Sequence, residues 1–167
     1  VLDPVGSGAT RLRTESARHL IDELSINVIR GNASEVLSLA QEDSRTKGVD
    51  SVHSVEEAAD AALMLAKELK TTLAITGPVD LITDGAHIYK VLNGHELMGI
   101  VTGTGCTATA LIGAFLSVDS DPVSATATAL AYFGLAGEKG AAVSRGPGTF
   151  QIALLDTLFS ITEEQVL

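Results

Sequence analysis

Ile26-Asn27-Val28-Ile29-Arg30-Gly31-Asn32-Ala33-Ser34-Glu35 is the stretch on which the fold class turns. The β-branched residues Ile26, Val28 and Ile29 favour an extended segment over 26–30, Gly31 ends it, and Asn32 caps a helix running to about residue 40. A strand that passes at once into a helix is the joint of an α/β domain. The same alternation continues on both sides of it. Upstream, residues 1–5 read as an opening strand, 6–10 as a Gly-rich loop, and 14–24 as a helix with apolar spacing at Ala17, Leu20, Ile21 and Leu24. Downstream, 41–53 is polar and predicted to be loop, and Ser54 with Glu57 forms a capping-box signature before an Ala-rich helix to about 69. Residues 71–76 read as a buried strand, and 79–83 and 87–92 as two short strands flanking Asp84-Gly85, a favoured tight hairpin turn. Helices are predicted from Gly103 to about 116, from Pro122 to about 143 and from about 149 to 159. The pattern implies an α/β domain with a largely parallel sheet.

The chain has 167 residues, 46% of them hydrophobic and 19% charged, which suits one domain with a real core over residues 1–167. Eleven Lys and Arg against 21 Asp and Glu leave a net charge of -10, the wrong sign for binding a phosphate backbone, so a nucleic-acid role is disfavoured. No apolar run approaches the roughly 18–20 residues that span a bilayer, and no signal-like leader is present, so neither membrane insertion nor secretion is expected. Cys106 is the single cysteine, so no internal disulfide forms, which suits a reducing cytoplasm. The opening Val1-Leu2-Asp3-Pro4-Val5 lacks Met and starts inside a predicted strand, as if the chain were a piece of a longer one.

Four segments carry chemistry. In Val101-Thr102-Gly103-Thr104-Gly105-Cys106-Thr107-Ala108, two glycines turn an extended lead-in sharply into a helix whose first amides have no intrahelical partner. That is an anion cradle, and a thiol at the same terminus has its thiolate favoured by the dipole. The alternative, a Gly-rich helix start followed by a Cys acting as a small core hydrophobe, stands level with it on this segment alone. In Arg30-Gly31-Asn32-Ala33-Ser34-Glu35, a carboxylate at a strand's carboxyl end faces the ligand crevice of an open α/β sheet, so Glu35 is a candidate for Mg²⁺ or its water shell. Asn32 and Glu35 also have the spacing of a helix cap, and taken alone the capping reading prevails. Asp3-Pro4-Val5-Gly6 offers Asp3 as a second acidic ligand or as a plain turn residue, and Thr76-Gly77-Pro78 offers a hydroxyl at another strand end. Neither G-x-x-x-x-G-K-[ST] nor G-x-G-x-x-G nor G-x-S-x-G occurs. His95-Glu96-Leu97-Met98-Gly99 has Gly where a zinc helix needs its second His, and the four histidines have no ligand spacing.

Considered jointly, Asp3-Pro4-Val5-Gly6-Ser7-Gly8-Ala9-Thr10, Ile29 to Glu35, Ile75-Thr76-Gly77-Pro78-Val79-Asp80 and Val101 to Cys106 resemble the hydroxyethylthiazole kinases of the ribokinase-like superfamily. The blocks match in order and spacing across essentially the whole chain, and Arg-Gly-Asn-x-Ser-Glu is the most specific. The resemblance implies a three-layer α/β fold, here the C-terminal portion without the earlier strands and part of the substrate pocket, so that the chain alone is expected to be inactive. It implies ATP- and Mg²⁺-dependent phosphorylation of the alcohol of 4-methyl-5-(2-hydroxyethyl)thiazole in thiamine biosynthesis or salvage, in a cytoplasmic homotrimer. It further implies Glu35 and Asp3 at the metal, and Arg30 and Thr76 against ATP. Gly103 falls at the substrate position, the amides of Gly103, Thr104, Gly105 and Cys106 cradle the transferred phosphoryl group, and Cys106 stands where most of the superfamily has an Asp base. A hydroxymethylpyrimidine or pyridoxal kinase, which shares the Gly-Thr-Gly-Cys turn, and a non-catalytic nucleotide-binding remnant are the alternatives. The block from Arg30 to Glu35 argues against the first of these.

Overall fold

The computed structural model describes residues 1–40 and 55–162, with 55–58 as backbone only. In chain order the elements are α1 (Arg11–Glu23), β1 (Val28–Gly31), α2 (Ala33–Leu37), α3 (Val55–Leu69), β2 (Thr72–Ile75), β3 (Asp80–Thr83), β4 (Ile88–Val91), α4 (Leu97–Ile100), α5 (Thr104–Leu116), α6 (Pro122–Ala142) and α7 (Pro147–Ser160). Their starts follow from local chemistry. The Thr10 hydroxyl accepts from Arg13 N, so α1 begins at Arg11, three residues before the predicted start at 14. Asp121 accepts from Val123 N at 3.0 Å, with Pro122 preset for the first helical turn of α6. The predicted loop at 41–53 and the Ser54–Glu57 capping box lie outside the described side chains.

The strands form one sheet in the order β1-β2-β3-β4. β1 and β2 are parallel, with Val28 opposite Thr72 and Gly31 opposite Ile75, whereas β2, β3 and β4 run antiparallel to their neighbours. The expected largely parallel sheet is therefore mixed. A parallel return needs a crossover of a dozen or more residues, and residues 76–79 and 84–87 are too few to make one. The second of these connections is also a four-residue loop rather than the two-residue turn expected at Asp84-Gly85, because Thr83 pairs with Ile88. Asp84 holds it by accepting from Ala86 N and His87 N at 2.8 and 2.9 Å. The expected opening strand contributes a single parallel bridge, in which Leu2 N donates to Val28 O and Arg30 N to Leu2 O, both at 2.9 Å. Pro4, lacking an N–H, cannot extend it.

Successive strand residues point to opposite faces. Val28, Ala74, Ile82 and Val91 enter a core with Ala108 and Ile112 of α5, Leu130 and Phe133 of α6, and Phe150 of α7. Ile29, Leu73, Ile75 and Leu81 enter a second core with Ala17 of α1, Val36 of α2 and Leu65 of α3. The sheet is thus covered on both sides, giving the three-layer α/β arrangement that the resemblance implied. Phe150 is fully buried. Phe150→Ala is expected to lower unfolding free energy by about 3–5 kcal/mol in chemical denaturation, while Leu12→Ala on the exposed side of α1 changes it by about 0.5 kcal/mol or less.

Candidate functional site

β1 and β2 end side by side, and the side chains that follow them meet there. Arg30 projects from the end of β1, its guanidinium mostly buried. One end-nitrogen, Nη2, donates to Thr76 Oγ1 at 2.6 Å, just beyond β2. The other, Nη1, donates to Asp3 Oδ2 at 3.3 Å, at the end of the bridge formed by Leu2. Thr76 is anchored in turn, its amide donating to Gly31 O at 2.9 Å and its hydroxyl to the same oxygen at 3.3 Å. Asp3 Oδ2 also accepts from Thr109 Oγ1 of α5 at 3.0 Å. Arg30 Nε is buried with no protein partner among the described residues.

The first turn of α5 lies against this guanidinium. Gly103 is its N-cap at φ 99°, a left-handed conformation that side chains disfavour. Gly105 is required by proximity: a Cβ built on it would fall 2.6 Å from Arg30 Nη1. Thr104 spends its hydroxyl on the carbonyls of Met98 and Val101, at 2.7 and 3.1 Å, which fastens α4 to the helix start. Cys106 is exposed, so its reading as a core hydrophobe is overturned. Helix geometry turns it about 200° from Thr104, away from the wall formed by Thr104, Gly105 and Ala108.

Those three residues line a cavity of about 590 Å³. Its polar end carries Arg30, Thr76 and Asp80, and its apolar end Leu92, Met98, Leu130 and Phe133. Asp80 was not singled out by sequence reasoning. Its Oδ1 accepts from Gly77 N at 2.9 Å, closing the turn that follows Thr76. Burial raises its pKa, opposed by the Gly77 amide and by the charge of Arg30. The partial sequence signal for it was the Gly-Pro-Val-Asp spacing after β2, which reads only as a turn.

Glu35 closes the capping box expected at Asn32: Asn32 Oδ1 accepts from Glu35 N at 2.9 Å, and Glu35 Oε2 accepts from Asn32 N at 3.1 Å. Glu35 Oε1 accepts from Gly6 N at 2.8 Å, which ties the loop after Asp3 to α2. The cap is real, and the same carboxylate also holds the neighbouring loop. No group of three or more His, Cys, Asp or Glu side chains able to hold a metal occurs among the described residues. A carboxylate has about four lone-pair sites, so Glu35 and Asp3 retain acceptor capacity after these bonds. Such a pair fits Mg²⁺, which keeps several waters and takes one or two carboxylates plus substrate phosphates, rather than a closed protein cage. His95 lies outside α4 and accepts through Nδ1 from Leu97 N, so no zinc helix forms.

A family model described as the hydroxyethylthiazole kinase family matches residues 1–164. The chain is 58% identical over 166 residues to a hydroxyethylthiazole kinase of Desulfotalea psychrophila, covering 99% of this chain and 61% of that protein. It is 49% identical to one of Moorella thermoacetica, covering 99% of this chain and 62% of that protein. Its fold is similar to the solved structure of a hydroxyethylthiazole kinase protein from Pyrococcus horikoshii OT3, with a TM-score of 0.87 at 41% identity over 99% of this chain and 61% of that one. The chain thus spans about three-fifths of the length of these relatives.

The raised pKa of Asp80 fixes the sign of a pH effect. The folded protein holds this proton more tightly than the unfolded chain does. The stability contributed by Asp80 is therefore fully present below the ordinary carboxylate pKa of about 3.9 and is lost as pH rises through the raised value. Asp80→Asn keeps an acceptor for Gly77 and removes the charge. Its Tm is expected to exceed that of the parent at pH 7, with the gain vanishing near pH 3–4. Thermal melts in which the variant is the less stable protein at pH 7 refute this.

Proposed function

Because this chain belongs to the hydroxyethylthiazole kinase family, we propose that it forms the nucleotide- and phosphate-binding part of an enzyme that transfers a phosphoryl group from ATP to the hydroxyl of 4-methyl-5-(2-hydroxyethyl)thiazole in thiamine biosynthesis. The observation that carries this reading is the approach of the Arg30 guanidinium to the first turn of α5 at the polar end of the cavity. Two positive groups in one place repel each other, and an anion between them removes the cost. The apolar wall of Leu92, Met98, Leu130 and Phe133 suits a planar base attached to that anion. A net charge of -10 does not oppose this, since local dipoles hold the phosphates.

Phosphoryl transfer asks for in-line alignment and for stabilisation of charge on the equatorial oxygens. Arg30 and the amides of Thr104, Gly105 and Cys106 supply fixed positive ends for that charge. Thr76 orients Arg30 through the 2.6 Å bond and offers its hydroxyl beside the phosphates. Gly103, which begins the turn, lets the acceptor approach the cradle without a side chain in its way, as nothing lies within 4 Å of a Cβ built there. Glu35 and Asp3 would hold Mg²⁺ and its waters, and the ion neutralises phosphate charge when bound. In this reading Cys106, exposed in the first turn of α5, orients the acceptor hydroxyl or receives its proton. A reducing cytoplasm and homotrimeric assembly belong to the same reading and are carried by the family resemblance.

Titration calorimetry on this chain tests the nucleotide part. MgATP is expected to give a saturable heat, and Gly105→Ala, which pushes the Arg30 guanidinium aside, is expected to raise its Kd about tenfold, measured at a temperature where the variant is folded. No heat from MgATP removes both this reading and that of a non-catalytic nucleotide-binding remnant. Steady-state kinetics of the natural gene product test the thiol. A loose transition state asks little of a base, so Cys106→Ala is expected to lower kcat by no more than about 100-fold, and Cys106→Asp to retain or raise it. Complete loss in both variants contradicts this role.

A further inference from the structure

Thr109 lies in the second turn of α5, outside every sequence block that points to the family. Its hydroxyl has one proton and two acceptors in reach, Asp3 Oδ2 at 3.0 Å and Gly105 O at 3.2 Å. The second is the ordinary back-bond of a helical Thr to the carbonyl four residues earlier. The first is not local, since it joins positions 106 apart in the chain. It falls on the same carboxylate oxygen that receives Arg30 Nη1.

The energetic situation of Arg30 makes that third group matter. The guanidinium stands next to the positive end of α5, and its Nε has no partner among the described residues. Among the described residues its hydrogen-bond partners are one hydroxyl, Thr76, and one carboxylate, Asp3. Asp3 is a short side chain on a segment joined to the sheet by the Leu2 bridge alone, and at 3.3 Å its bond to Arg30 is long for an ion pair. The 3.0 Å bond from Thr109 of α5 holds the same carboxylate oxygen.

Resting on the kinase reading above for its functional consequence, the geometry points to Thr109 as a positioning residue, whose hydroxyl fixes the Asp3 carboxylate and thereby sets the Arg30 guanidinium against the phosphate-binding turn of α5. Sheet and helix are coupled by one polar chain, from Gly31 O through Thr76, Arg30 and Asp3 to Thr109. Displacement of the nucleotide-binding turn relative to β1 is thereby resisted by side chains as well as by the apolar core.

Thr109→Val keeps the shape and removes the hydroxyl, whereas Thr109→Ser keeps the hydroxyl. Two readouts are taken on ¹⁵N-labelled protein: the Arg30 Nε–H signal, assigned by its loss in Arg30→Lys, and the Kd for MgATP. In Thr109→Val the signal is expected to shift or broaden and the Kd to rise roughly tenfold, with both restored in Thr109→Ser. A purely structural Thr would lower Tm without moving the Arg30 signal. An unmoved signal in Thr109→Val, or a failure of Thr109→Ser to restore it, overturns the proposal. A shifted and restored signal in a protein that binds no MgATP retains the positioning role and removes the kinase reading. If Thr109→Val does not fold, Thr109→Ala, which also removes the hydroxyl and suits a helix, is read in the same two ways against Thr109→Ser.

Discussion

Burial of the sheet on both faces is the constraint from which the rest of the molecule follows. Val28 and Ile29 are adjacent in β1 and both fully buried, as are Leu73 and Ala74 in β2. Neighbours on a strand point in opposite directions, so neither face has a polar set to turn to water. Helices must cover both sides, and α1 to α3 and α5 to α7 do so. β4, at one end of the strand order, departs from the pattern: Ile88, Tyr89 and Lys90 are exposed and, within the strand, Val91 alone is buried. With the strand interiors committed to packing, polar chemistry is left to the places where strands stop.

Arg30 occupies such a place. It shares a sheet face with Val28, but it stands one residue from the end of β1, where its long side chain reaches past the apolar core to Thr76 and Asp3. A guanidinium buried to this extent is costly unless paired, and the pairing recruits groups from beyond β2, from the segment before Pro4 and from α5. Glu35 acts similarly on the other side of Gly31, where one carboxylate closes a helix cap and also holds the Gly6 loop. One side chain thus fixes both the start of α2 and the loop that follows Asp3.

Much of this was legible beforehand wherever the governing interaction is short in sequence. Asn32 and Glu35 cap α2 as their spacing implied, Gly103 begins α5, and the Pro122 and Cys106 regions form the helices expected of them. The sheet direction was misjudged because apolar runs identify strands without saying which way they lie; that depended on residues 76–79 being too few for a crossover. The opening strand shrank to one bridge because Pro4 stops it. Asp80 and Thr109 escaped notice because an Asp in a turn and a Thr in an apolar helix carry no local pattern of their own.

The sequence by itself determined the alternation of strands and helices, the caps that start several of the helices and the Gly-rich helix start at Gly103-Thr104-Gly105-Cys106, since each depends on contacts within about one helical turn or on the period of apolar residues. Only the tertiary structure decided that Arg30 lies beside Gly105, that Asp3 is shared by Arg30 and Thr109, and that Cys106 faces away from the cavity. Those facts depend on how α5 is set against the ends of β1 and β2. That placement is the outcome of packing Ala108 and Ile112 of α5 against Val28, Ala74 and Ile82, a sum over many small apolar contacts that no single stretch of sequence contains.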